Sequence, residues 1–331
     1  MAIYLWLQTK LILMEYAIMR TVTQKSYLSR IVKTLNYIQT NLDHELTLEE
    51  LAKEANFSPF HFHRIFSGML GESVKELVRR LKLERAAIEL QTTSMSILQI
   101  SINAGYESDM AFSRVFKSKV GILPSEFRRT EHARFPCSSK ACIRYVTSGH
   151  ISSFEPLQIK ECKMNIMIKD VNNMKVAYVS HQGPYQECGH AWDKLCSSLA
   201  TEGLLGGDAK MLGVSYDDPD VIPAEDLRYD ACITVPNDFQ VIDDIKVQTI
   251  SGGQYAVTTH IGSYNNLSDT YRKFFGQWLP QSDYESDDKP CFEVYLNDPE
   301  STEPEDLVTD IYMPIINVSQ QSPAVKENSN D

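Results

Sequence analysis

Two sets of side chains in this 331-residue sequence have types and spacings that could do chemistry. The first is a pair of short helices with related faces. In one, Phe62, Ile65 and Phe66 form the apolar stripe, which leaves Phe60, His61, His63, Arg64 and Ser67 expected outside. In the other, Phe112, Val115 and Phe116 turn inward, and Asp109, Met110, Ser113, Arg114 and Lys117 are expected outside. An arginine can fork onto guanine O6 and N7, a Phe or Met can touch a thymine methyl, and an Asp can accept from cytosine N4. Lys117, with Lys119, Arg79 and Arg80, suits phosphate contacts or plain solvated charge. For His61 and Ser67 a solvated helix face serves equally well.

The second set centres on Glu293 and Tyr295. Phe292 and Val294 align with Leu212 and Val214 of an earlier repeat and are expected to face the helices. By strand alternation, Glu293 and Tyr295 then share the opposite face, beside the small Gly213 and Ser215. Tyr185, Tyr216 and Tyr312 are candidate pocket walls. A carboxylate among aromatic rings favours a lipophilic cation through charge pairing and cation–π attraction. The alternative for Glu293 is an ordinary exposed strand residue.

The elements that must position the first set repeat. Leu28, Ile31, Val32, Leu35 and Ile38 give an amphipathic first helix. Thr47-Leu-Glu-Glu50 is a capping box opening a helix through Ala55, Asn56-Phe57 makes a turn, and Ser58-Pro59 starts the next helix. Ala55, Phe57, Ser58, Phe62, Arg64, Phe66 and Gly71 then recur as Ala104, Tyr106, Ser108, Phe112, Arg114, Phe116 and Gly121, offset by 49 before the turn and 50 after it. Val74, Leu77, Val78, Leu81, Ala86 and Leu90 suit a long connecting helix. Two helix-turn-helix units on one chain are predicted.

The stretch from about Ser26 to Arg129, most specifically Ala104 through Gly121 and Pro124 to Arg129, resembles the DNA-binding domain of the AraC/XylS regulators. The resemblance implies two recognition helices in successive major-groove segments about one DNA turn apart. The positions matching the family's base-reading residues are Phe60, His63 and Arg64, then Asp109, Met110, Ser113 and Arg114. Phe60 and Met110 are apolar where many relatives carry hydrogen-bonding side chains, so the target sequence cannot be copied from a relative.

A second duplication follows. Val176–Tyr185 aligns with Tyr255–Tyr264 at an offset of 79, and Met211–Pro219 with Cys291–Pro299 at an offset of 80. Each half reads strand, helix, strand, strand, and two such halves should pack into one pseudo-twofold α+β domain with a ligand cleft at their junction. His181 and His260 are expected to hold a strand end to a turn, and Trp192 and Trp278 to be core. Residues 159–316, quotable at His181–Tyr185, Leu227–Cys232 and Phe292–Pro299, resemble the GyrI-like effector-binding domain. In that family's ligand-binding members the glutamate matching Glu293 meets cationic aromatic compounds. Some members hydrolyse electrophilic small molecules, which here would fall to Glu293 and Tyr295, and a third option is a protein ligand.

Composition agrees with a multidomain protein: an all-α double helix-turn-helix part and an α+β part. The net charge of −12 argues against nucleic acid as an average, yet residues 25–130 carry 15 Lys and Arg against 12 Asp and Glu, while 131–331 carry 15 against 31. With +3 on the basic part, binding should lean on specific contacts and be sensitive to salt. Seven cysteines without a C-x-x-C pair predict neither zinc nor a disulfide framework, and reduced thiols in a cytoplasmic setting. Residues 1–24 are apolar but interrupted by Lys10 and Glu15, a poor signal peptide or membrane span, and are expected as an extension. Residues 131–158 read as a linker and 317–331 as a disordered tail. The expectation is a one-component regulator: promoter DNA and RNA polymerase as partners, a small-molecule effector, no cofactor, no metal, no membrane, no catalytic residues, and a monomer or homodimer. Activation is the sign more usual for the resembled family.

Overall fold

The computed structural model describes residues 22–130, 132–136, 139–157, 164–219, 221–242 and 244–318. The expected extension lies outside them except for its last three residues, and the expected tail except for its first two. A helical unit, Ser26–Ile159, and a sheet unit containing Lys160–Asp331 are distinct.

The helical unit carries α1 (Val22–Thr40), α2 (Leu48–Ala55), α3 (Pro59–Leu70), α4 (Val74–Thr92), α5 (Ile97–Asn103), α6 (Asp109–Val120) and α7 (Pro124–Arg129). Thr47 and Glu50 close the expected capping box at α2, and Ser73 and Glu76 close another at α4. Ser58 starts α3 in extended conformation, but its hydroxyl pairs with His61 Nδ1 at 3.0 Å instead of capping the helix. Both helix-turn-helix turns pass through a left-handed residue at the same repeat position, Asn56 at φ 52° and Gly105 at φ 83°. The second module has its own core: Phe112, Phe116 and Phe127 pack with Ile100, Ala104 and the C-terminal half of α4 (Leu83, Ala86, Ala87, Leu90).

The stretch expected as a linker is docked along this unit. Asn36 of α1 makes a reciprocal pair with the backbone of Ile151, donating at 3.0 Å and accepting at 2.6 Å. Gln39 Oε1 accepts from the Val146 N–H, and the Leu157 N–H reaches Met69 O at the end of α3. Ala141, Ile143, Ile151 and Phe154 are buried. Arg80 lies beneath the strap, 8 % exposed, so it is no phosphate contact. It forks onto Glu72 (2.9 and 2.6 Å), bonds Glu84 at 2.7 Å and donates to Ile143 O at 2.7 Å. The strap returns the Ser139 hydroxyl to Glu72 and the Tyr145 N–H to Glu84. Its serine-rich, irregular sequence reads as a linker, but its order comes from side chains distant in sequence.

The sheet unit holds β1 (Ile166–Val171), β2 (Met174–Gln182), β3 (Met211–Ser215), β4 (Arg228–Thr234), β5 (Lys246–Ile250), β6 (Gly253–Ile261), β7 (Tyr284–Ser286), β8 (Phe292–Tyr295) and β9 (Val308–Asn317). All pairings are antiparallel, in the order β1-β6-β9-β8-β3-β4-β2-β5, with β7 on β9. That order is symmetric about the β8–β3 seam. The expected halves are present, and each gains a leading strand that crosses to the other half: β1 edges β6, and β5 edges β2. Such exchange interlocks the halves. Both extra strands are edges of mixed burial, so they lack the period-2 pattern that reveals a strand in sequence. Helix α8 (Gly189–Thr201) serves the first half, and α9 (Leu267–Lys273) the second, running on through a π turn at Phe274–Trp278. His181 Nε2 lies 3.0 Å from Pro184 O and His260 Nε2 lies 3.2 Å from Ser263 O, equivalent staples of strand end to turn.

Candidate functional site

On α6, Met110, Ser113, Arg114 and Lys117 follow i, i+3, i+4, i+7 and therefore share one face. Asp109, Met110, Arg114 and Lys117 are exposed, Met110 to 72 %, and Ser113 is half-buried. A large apolar side chain left in water at a helix start, beside a free guanidinium and an ammonium, is suited to a groove floor.

The equivalent face of α3 differs from expectation. His61, His63, Arg64 and Ser67 are buried, Arg64 to 6 % exposure, and only Phe60 is partly open. The Arg64 guanidinium lies 4.3 Å from the centre of the Phe60 ring. The reason is compositional. In its twelve residues α3 carries a single charged side chain, whereas α6 carries Asp109, Arg114, Lys117 and Lys119. With one charge instead of four, the outer face of α3 costs less to take out of water than that of α6.

In the sheet unit the expected sidedness is reversed. Phe292, Val294, Leu212 and Val214 form a cluster with Val176, Cys232, Ile250, Tyr255 and Val257. Ala191, Leu195 and Leu199 of α8 instead pack on Ala177, Tyr229, Ala231 and Ile233. Glu293 and Tyr295 thus lie on the helix-bearing face. Parity placed them together correctly, but it could not say which of two apolar faces takes the helices.

Across the β8–β3 seam, Glu293 pairs in register with Gly213, its own repeat counterpart. The carboxylate is therefore single because its symmetry mate has no side chain. It is 4 % exposed. Tyr271 of α9 donates to Oε1 at 2.9 Å and Tyr295 to Oε2 at 2.8 Å. Since the one Tyr295 proton goes to Glu293, Tyr229 must supply the proton in its 2.9 Å bond to Tyr295, and Trp192 Nε1 donates to Tyr229 at 3.2 Å. Every donor points toward the anion, so each bond polarises the next. Burial and the Glu293 charge raise Tyr295 and Tyr229 well above the ordinary phenol value, which keeps both as donors.

Rings fence this carboxylate. Trp192 and Tyr264 lie edge-on to Tyr295 at 5.8 and 5.4 Å, and Tyr185 lies 6.0 Å from Tyr229. Tyr185 anchors its hydroxyl on Asp217 O at 2.9 Å. Trp192, Tyr229, Tyr264 and Tyr271 were not among the sequence candidates, because helical periodicity marks Trp192 and Tyr271 only as core. Tyr216 and Tyr312, expected as walls of the same pocket, lie on the other face. Tyr216 donates to Asp230 at 2.7 Å and lines a cavity of about 70 Å³ with Gln248, Tyr255 and Phe292. Tyr312 stacks on Phe292 at 4.5 Å. That cavity is about half the roughly 150 Å³ that admits benzene.

The space beside the small Gly213 is filled by phenols. A Cβ at this position would meet the Tyr295 and Tyr229 hydroxyls inside contact distance. Gly213→Ala is expected to cost about 1–3 kcal/mol as overpacking, measured by urea unfolding. An unchanged midpoint would show that the phenols move aside freely. Among the described residues no group of His, Cys, Asp and Glu could hold a metal ion, and no helix is long and apolar enough to cross a membrane.

Comparisons with known proteins follow the same division. A helix-turn-helix domain model matches residues 51–130, and a GyrI-like small molecule binding domain model matches residues 164–316. A DNA gyrase inhibitor of Citrobacter rodentium is 34 % identical over 139 residues, 41 % of this chain and 87 % of that protein. The HTH-type transcriptional activator AarP of Providencia stuartii is 32 % identical over 117 residues, 35 % of this chain and 84 % of that protein. A solved AraC-type transcriptional regulator of Chromobacterium violaceum is 28 % identical, covering 30 % of this chain and 90 % of its own, with a TM-score of 0.29. The chain belongs to the AraC-type helix-turn-helix transcriptional regulators and carries, after its DNA-binding domain, a GyrI-like small molecule binding domain.

Proposed function

We propose that a lipophilic cation bound at Glu293 biases how the helix-turn-helix unit engages promoter DNA and, through it, RNA polymerase. The observation that carries this reading is the buried, ring-fenced carboxylate on the pseudo-twofold seam. Its lone pairs already accept from phenols, so a ligand without N–H donors loses nothing there and gains charge attraction plus cation–π contact. On the DNA side, α6 offers Asp109, Met110, Ser113, Arg114 and Lys117 directly. The α3 set, Phe60, His63 and Arg64, contributes only once it is uncovered, which makes two-unit binding conditional.

The test is affinity for a duplex selected from random DNA, with and without a lipophilic phosphonium. The cation should shift the affinity of wild type, and Arg114→Ala should lose about 1–3 kcal/mol at the selected site. Equal affinity of wild type and Arg114→Ala would retire the α6 assignment. Turnover of the ligand has less support. Glu293 is held by two donors, and burial pushes the neighbouring Cys188 thiol up, so neither is poised as base or nucleophile. A second reading rests on the likeness to a DNA gyrase inhibitor: the sheet unit binds a protein. Inhibition of gyrase supercoiling that persists in Glu293→Gln would favour it.

A further inference from the structure

The two helix-turn-helix modules meet at α4, whose Val74, Leu77 and Leu81 are buried in its N-terminal half while Leu83, Ala86, Ala87 and Leu90 belong to the second core. At the hand-over sits Arg85, and its guanidinium touches both sides. Nη1 and Nη2 fork onto the Asp43 carboxylate at 3.0 and 2.6 Å, in the turn that joins α1 to α2. Nη2 also donates to Asn103 O at 2.8 Å, at the C-terminal end of α5, the first helix of the second helix-turn-helix. Glu89, one turn along α4, approaches Nε at 3.8 Å. The Asp43 carboxyl is held below its usual range by the Arg85 hydrogen bond. A planar guanidinium fixes the directions of its donors, so one rigid group ties the first module to a carbonyl at a helix C-terminus that favours positive charge.

We propose that Arg85 is a positioning residue that sets the relative orientation of the two recognition helices, and so the spacing at which two DNA half-sites are read together. The proposal rests on the two-unit DNA reading above. A single arginine suits the role because turning one module about α4 would break either the Asp43 fork or the Asn103 bond.

The experiment uses the full chain and a two-half-site duplex selected from random DNA by the wild type, then the same duplex with one or two base pairs inserted or removed between half-sites, and a single half-site. Wild type should lose at least about tenfold in affinity off the selected spacing. Arg85→Ala should flatten that ratio to below about threefold while binding the single half-site within twofold of wild type. Arg85→Lys should fall between, since an ammonium cannot reproduce the fork. Asp43→Asn removes the charged partner from an exposed turn without touching α4, and should flatten the ratio too, which serves if Arg85→Ala folds poorly. Uniform loss across every duplex in both variants, or an unchanged spacing ratio, overturns the proposal. A wild type that binds one half-site as tightly as two overturns the two-unit reading instead, and this assignment with it.

Discussion

Glu293→Gln is expected to weaken binding of a lipophilic cation by about 2–5 kcal/mol, the range for truncating one partner of a buried charge pair. That corresponds to roughly thirtyfold or more in Kd. Two effects add in the same direction. The carboxamide has no charge to offer, and its NH2 group confronts one of two phenols that both donate in the wild type. Titration calorimetry with a phosphonium and a neutral isostere of the same shape separates them. Charge recognition predicts that the cation loses far more than the isostere. Equal losses would mean that the site selects shape alone, and the cation reading would fall.

Arg80→Ala is expected to destabilise the helical unit by about 3–5 kcal/mol, the usual result of breaking a buried ionic network by removing one partner. Two carboxylates, Glu72 and Glu84, share this one guanidinium. Without it, each is left beside the other with only the Ser139 hydroxyl or the Tyr145 N–H. A loss of that size is a large fraction of an ordinary domain's stability. Urea unfolding followed by far-UV dichroism measures it, and proteolysis within residues 139–157 should accelerate as the strap loses its anchor. A midpoint within the error of wild type would mean that the strap is held by Ala141, Ile143, Ile151 and Phe154 alone.

The corrections share a cause. Arg64 and Arg114 hold the same repeat position, and sequence treats them alike. Their environments differ because Arg64 is the one charged side chain of α3, among His61, His63 and Ser67, whereas α6 adds Asp109, Lys117 and Lys119, whose charges hold its outer face in water. Arg80 has both its carboxylates nearby in sequence, Glu72 and Glu84, and is no surface charge because a segment 63 residues on lays Ile143 O over it. Tyr216 and Tyr312 were grouped with Glu293 as aromatic neighbours, although a sheet separates them.

What the residues determined alone was whatever depends on local periodicity and on internal repetition. That covers both helix-turn-helix modules, the capping boxes, the paired strand–helix–strand–strand halves, the matching histidine staples, and the pairing of Glu293 with Tyr295 on one face. Helical and strand periods are properties of neighbouring side chains, and a repeat carries its own check. Tertiary structure decided which sheet face receives the helices, which strands exchange between halves, which recognition helix is covered, and that the serine-rich stretch binds the helical unit. Each of those depends on contacts between residues tens of positions apart, and when both faces of a strand are apolar, or a segment has no period, the sequence holds no preference for the tertiary partner to reveal.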